Sequence, residues 1–238
     1  MIRRWLVAAV AVAAAVMIAG AQGPAGGDAK QFKGKGKGKA APIVEEPTMW
    51  IKDGVPDFRG IWNTQWIVNM ADGRYAEKTV DVPFTEKGRA IYAERTGNLQ
   101  KDDPNMTCKP SGLPRAMGVP YPMKIVQTPG LILVLYEYQT LFRQIFTDGR
   151  PLPPDPNPTW MGYSIGRWEG DTLVVTTAGY NDRTSLDLGG HPHSEALRLT
   201  ERFHRVDAGH MDFQVTIEDP KAYNRSWTLP VGLDLIPD

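Results

Sequence analysis

The chain has 238 residues, with 27 basic and 27 acidic side chains for a formal net charge of +0, and one cysteine. The balance is uneven: residues 1–44 hold seven of the basic residues and one of the acidic ones, leaving 20 basic against 26 acidic in the remainder. A mildly acidic body of that size can form one domain with a real core. It argues against nucleic acid as a partner, and a single Cys excludes an internal disulfide.

In chain order, Arg3 and Arg4 come first, then an apolar run over 5–18, then Ala19-Gly20-Ala21. Charge, apolar middle and small end make a secretory signal peptide over 1–21, cut after Ala21. The alternative, a membrane anchor, needs about 20 apolar residues, more than this run supplies. The mature protein is therefore expected to be periplasmic or secreted, with no stable membrane insertion. Residues 22–55 read as a flexible Gly/Lys-rich linker with little to bury. A lysine run also suits nucleic acid or anionic lipid; without interleaved aromatics the solvated tether is preferred. Residues 56–238 read as a single β-rich domain.

Within that domain, Gly60-Ile61-Trp62 resembles the opening of lipocalin-type barrels, where the Trp plugs one end. A helix is expected over 84–99, capped by Thr85, with Ile91, Tyr92 and Leu99 on one side. Residues 102–122 are dense in Pro, Gly and Asn and read as loop. Strands are expected over 131–138 and 141–147, before the break made by Asp148-Gly149-Arg150 and the prolines of 151–158. Two hairpins follow: 161–168 with 172–178 around Glu169-Gly170-Asp171, and 197–206 with 210–217 around Asp207-Ala208-Gly209. Met211, Phe213, Val215 and Ile217 alternate with polar residues, as one-sided burial demands. The fold class is mainly β: an antiparallel meander forming a barrel or half-barrel, with one short helix near its N-terminal side.

All four histidines lie between 191 and 210. His191 and His193, two apart, point to one side of an extended segment. That is how a His-x-His pair grips a metal, with Glu195, Glu201, His204 or His210 as a third ligand. The pair resembles the first half of a cupin metal motif, but Leu197 and Arg198 stand where the cupin carboxylate falls, so no cofactor is expected. The same pair suits acid-base chemistry, with Asp187 orienting a ring by accepting its N–H and Arg183 stabilising an anion. A loop with no role is the bland alternative.

Glu201 shares a strand face with Leu197, Leu199 and Phe203, a costly place for an unpaired carboxylate. A structural pair with Arg202, Arg205 or Arg183 is preferred over a general base. Asn181, Asp182 and Arg183 form a polar loop suited to function or to plain turn chemistry. Trp160, Tyr163 and Trp168, beside the Pro-rich break, read as lining an apolar pocket or as core; with Asn181 and Asp182 they are the ligand-binding candidates. Cys108 reads as a small buried residue rather than a nucleophile. No phosphate loop, dinucleotide fingerprint, nucleophile elbow or zinc-protease helix is present.

Six blocks carry a wider resemblance: PYPMKIVQT over 120–128, TDGRP over 147–151, GYSIGRWEGDTL over 162–173, HPHS over 191–194, TERF over 200–203 and DPKAY over 219–223. From Asp57 onward the chain resembles a large group of secreted bacterial proteins of uncharacterised function. The resemblance implies no reaction and no catalytic residues. It implies a further strand carrying a Cys beyond residue 238, hence an expectation of an incomplete barrel with an exposed edge and of a Cys108 without its partner.

Three functions are weighed. The first is binding of a small apolar or aromatic molecule by a barrel-like domain. The second is an acid-base enzyme (lyase, isomerase or hydrolase) using His191, His193, Asp187, Arg183 and Glu201. The third is a structural envelope protein with no ligand.

Overall fold

The computed structural model describes residues 54–64, 66–71, 80–98, 101 and 103–236. The expected signal peptide, nearly all of the expected linker, and Leu99 of the expected helix lie outside the described residues. Nine strands follow one another around a closed barrel. They are β1 Gly60–Thr64, β2 Met123–Thr128, β3 Leu131–Tyr136, β4 Phe142–Phe146 and β5 Tyr163–Glu169. The circuit continues through β6 Thr172–Ala178, β7 Arg198–Arg205, β8 His210–Glu218 and β9 Trp227–Ile236. One α-helix, α1 Glu86–Gly97, lies between β1 and β2, with Thr85 as its cap accepting from the Gly88 N–H at 3.0 Å.

The mainly β barrel with one helix is thus as the sequence implies, with two corrections. First, the sheet has no open edge at its two ends: β9 pairs with β1, from Ile61 opposite Ile236 to Thr64 opposite Leu233. Second, the meander is broken once. β4 and β5 run parallel and share only two register pairs, Ile145 with Ser164 and Phe146 with Ile165. Parallel neighbours need a crossover. The chain makes it through 147–162, where prolines hold the backbone extended and remove donors.

Alternation then fills the lumen. Met211, Phe213, Val215 and Ile217 of β8 are buried, as are Trp227, Leu229, Val231 and Leu233 of β9. Each such side chain contributes about 1.5–3 kcal/mol on burial. A void of only about 10 Å³ remains between the lumen and the segment around Arg115. This barrel is a packed core, not a cup.

Strand directions separate the two ends. The short turns after β2, β5 and β7 lie at one end, together with the start of β1. Trp62 is fully buried there; its indole N–H donates to the Phe58 carbonyl at 2.9 Å, and the Arg205 guanidinium lies 5.4 Å from its ring centroid. Arg205 also donates to the Asp57 carbonyl, tying β7 to the start of β1. The other end carries the long connections: 65–122 with α1, 137–141, 179–197 and 219–226. Cys108 corrects a further expectation. It ends the 3₁₀ turn Pro104–Thr107 with φ 57 and is exposed. A surface turn places the thiol in solvent, where no core packs around it.

The helix is held to the barrel by close approach rather than by a broad apolar stripe. Gly88 is its one buried residue, and a Cβ there would stand 2.2 Å from the Ala222 carbonyl oxygen. Gly88→Ala is therefore expected to destabilise the protein by about 1–3 kcal/mol, the usual cost of overpacking. Gly97→Ala, with open space around it, is expected to be neutral or stabilising by up to about 1 kcal/mol. Urea unfolding of the two variants measures the contrast.

Candidate functional site

The polar centre of the barrel is the ion pair of Arg143 and Glu201, with side chains 1% and 0% exposed. Alternation on β4 and β7 turns both inward. The Arg143 Nη1 donates to the Glu201 Oε1 at 2.8 Å, Nη2 donates to Thr177 Oγ1 at 2.8 Å and to Glu201, and Nε donates to Ser164 Oγ at 3.0 Å. Burial alone would lower the Arg143 pKa; the Glu201 carboxylate more than offsets this and raises it. Tyr136 and Tyr180 sit near the pair, and burial pushes the Tyr136 phenol up to about 12. Glu201 is thus structurally paired, but its partner comes from β4 rather than from Arg202, Arg205 or Arg183.

The loop between β6 and β7 carries the histidine cluster. Asp187 accepts the His191 Nδ1–H at 2.7 Å, the His191 backbone N–H at 3.1 Å and the Met70 N–H at 2.7 Å. Asp187 thus fixes the orientation of the His191 ring. The ring, however, is fully buried, 5.5 Å from Phe84 and 4.5 Å from Tyr92 between centroids. Its Nε2 meets no hydrogen-bond partner among the described residues. His193 is buried apart from it, with Nε2 2.7 Å from Thr184 Oγ1 and Nδ1 3.3 Å from the Ser194 carbonyl. Desolvation by burial lowers the His193 pKa to about 4. The two rings therefore engage different partners, and among the described residues no group of three or more His, Cys, Asp or Glu converges as a metal site.

Two surface depressions flank this machinery. The more polar one, about 280 Å³, lies between α1 and the β6–β7 loop and includes Arg95, Asp103, Asp182, Arg183 and Thr184. Arg95 reaches the Thr184 and Gly190 carbonyls at 3.4 Å, and burial lowers its pKa. Its charge is diluted by Glu94, Asp103 and Asp182 in the same depression. The larger one, about 440 Å³, lies at the β4–β5 seam, where the register pairs of the two strands give out. Its walls include Phe142, Phe146, Trp160, Met161 and Tyr163, with Arg143 and Ser164 at its inner boundary. Gly162, at φ +69, turns the chain into β5; a Cβ there would stand 2.6 Å from Thr177.

The residues singled out from sequence are thus distributed over several places. Trp160 and Tyr163 line the seam pocket. Trp168 lies instead near the closed end, 5.2 Å from Phe58 between ring centroids. Asp182 and Arg183 line the polar depression, and Asn181 Oδ1 accepts the Arg183 N–H at 3.1 Å, a turn contact. Asp187 meets His191, whereas Glu201 belongs to the lumen. Sequence reasoning missed Arg143, Phe142 and Gln144: strand β4 was expected, but which strand would stand beside it was not. Compared against protein-family models and against curated proteins, the chain finds no match in either. The fold itself defines the class: a closed nine-stranded β-barrel with a packed lumen and a lateral pocket.

Two expectations follow from the buried groups. Glu201→Leu leaves a buried guanidinium unpaired and is expected to cost about 3–5 kcal/mol, whereas Arg143→Met combined with Glu201→Leu costs less than that single change; denaturant unfolding of both decides it. For His193, the folded pKa of about 4 lies below the ordinary histidine value of 6.5, so the unfolded state takes up the proton first. Stability is then full above about pH 6.5 and falls by about 3 kcal/mol as pH drops toward 4. His193→Asn should remove that part of the slope, read as the difference between the two stability–pH curves.

Proposed function

We propose that the protein is an exported β-barrel that binds a small apolar or aromatic molecule in the pocket at the β4–β5 seam. The observation that carries this reading is the pocket itself. At about 440 Å³ it falls within the size range of small-ligand sites, and its walls are aromatic with few polar groups. Phe142 stands 60% exposed on that wall, and a contiguous apolar surface left to water marks a place where something binds. Export is supported by the order of charge, apolar run and small residues over 1–21.

A second reading, acid-base catalysis, is favoured by one observation, the Asp187–His191 hydrogen bond. In that reading His191 transfers the proton through Nε2, which needs a path to solvent that its stacked, fully buried ring lacks in this conformation. Binding therefore accounts for more of the geometry.

The uncharged fluorescent probe N-phenyl-1-naphthylamine tests the binding reading. Saturable enhancement of its emission is expected, with Trp160→Ala weakening it about tenfold, the loss of an aromatic anchor. Absence of saturable binding removes the proposal.

A further inference from the structure

The seam pocket is apolar on its walls, yet three charged or polar features border it, and together they restrict its ligand. The first is Arg143 at the inner boundary. Its guanidinium is already held by the Glu201 carboxylate, so it presents no net positive charge to the pocket. Arg150 is the second. Its guanidinium lies 3.9 Å from the centroid of the Phe146 ring and is paired with Asp148 at 2.6 Å. Phe146 in turn stacks on Tyr163 at 5.3 Å. These two cations are thus neutralised in place, and neither offers an anionic ligand an unpaired partner for the hydration it would lose.

The third feature is Gln144. On β4 the outward positions are Phe142, Gln144 and Phe146, alternating with the inward Arg143 and Ile145. All three outward residues line the pocket. Gln144 therefore sets an exposed carboxamide between two rings along one strand face. An amide supplies both donor and acceptor, and so can meet a hydroxyl or a carbonyl with equal ease. Aromatic walls favour a planar ring that can lie against them over a branched aliphatic ligand.

Resting on the binding reading above, we propose that the seam pocket selects an uncharged planar aromatic molecule carrying a hydrogen-bonding group, with Gln144 as the residue that receives that group. Phe142, Phe146 and Trp160 supply the aromatic walls, and the paired arginines discriminate against carboxylates.

Displacement of N-phenyl-1-naphthylamine by three probes of one size tests this at neutral pH: naphthalene, 1-naphthol and 1-naphthoate. Naphthol is expected to displace the dye about threefold to tenfold better than naphthalene, the worth of one net hydrogen bond, and naphthoate to be the poorest of the three. Gln144→Leu, at an exposed position, is expected to erase the difference between naphthol and naphthalene. If the dye binds and Trp160→Ala weakens it, but naphthoate competes as well as naphthol, the binding reading stands and the selectivity falls. Selectivity also falls if Gln144→Leu keeps the naphthol preference. Failure of the dye to bind removes both.

Discussion

One parallel pair in an otherwise antiparallel barrel is the constraint from which the rest of this structure follows. Between β4 and β5 the backbone ladder offers only two register pairs, where every other junction of neighbouring strands has more. Side chains supply what the backbone lacks. Arg143 leaves β4, bonds Ser164 of β5 across the seam, then Thr177 of β6 and Glu201 of β7. Four consecutive strands are thus fastened by one guanidinium. A buried ion pair is seldom the most stabilising choice for a core, but here its multiple donors reach several strands at once, which no aliphatic residue does.

The same constraint decides where the surface is open. A parallel step returns the chain to the end of the barrel from which β4 set out, so the crossover must lie over the outside of the sheet. Its prolines keep it extended, and it reaches β5 through Gly162 and its left-handed backbone. Between that returning segment and the unpaired part of β4 lies the seam pocket. The opposite end has no comparable freedom: Trp62, Phe58 and Arg205 fill it, and short turns close it. The long loops at the first end are pinned in their own way, by Asp187 reaching Met70 and His191, and by Asp219 reaching Ser194. The histidine cluster is, by its contacts, an anchor for these loops.

Much of this was legible in the sequence where period and burial coincide. Strand β6 was read at its observed limits, and β8 to within a residue, because alternation exposes one-sided burial directly. Strand β9 was not read: Pro230 and Gly232 occupy outward positions of a strand whose inward residues are Leu229, Val231 and Leu233, and a proline and a glycine together look like a loop. The oddity of Glu201 was visible, since a carboxylate among Leu199 and Phe203 must be compensated. Its partner was not, because Arg143 lies 58 residues away and strand order around a barrel is not written in local pattern. Arginines near in sequence were the natural candidates, but Arg202 is on the strand's outer face, Arg205 at its closed end and Arg183 in the loop before it.

The pocket shows why the aromatic residues divided as they did. Trp160, Tyr163 and Trp168 lie within nine residues, yet only the first two line the seam. Tyr163 begins β5 beside the gap, whereas Trp168 sits toward the far end of the same strand, opposite Leu173, where the sheet is fully paired. Strand parity, with position along the strand, separates them: Tyr163 is on the outer face, whereas Trp168 shares the inner face with Ser164 and packs against the core. A ligand in the seam would touch β4 and the crossover together, bridging the junction that the backbone pairs least. Ligand binding there and the integrity of the β4–β5 contact would then be coupled through Arg143, which stands at the pocket's inner boundary and holds the strands behind it.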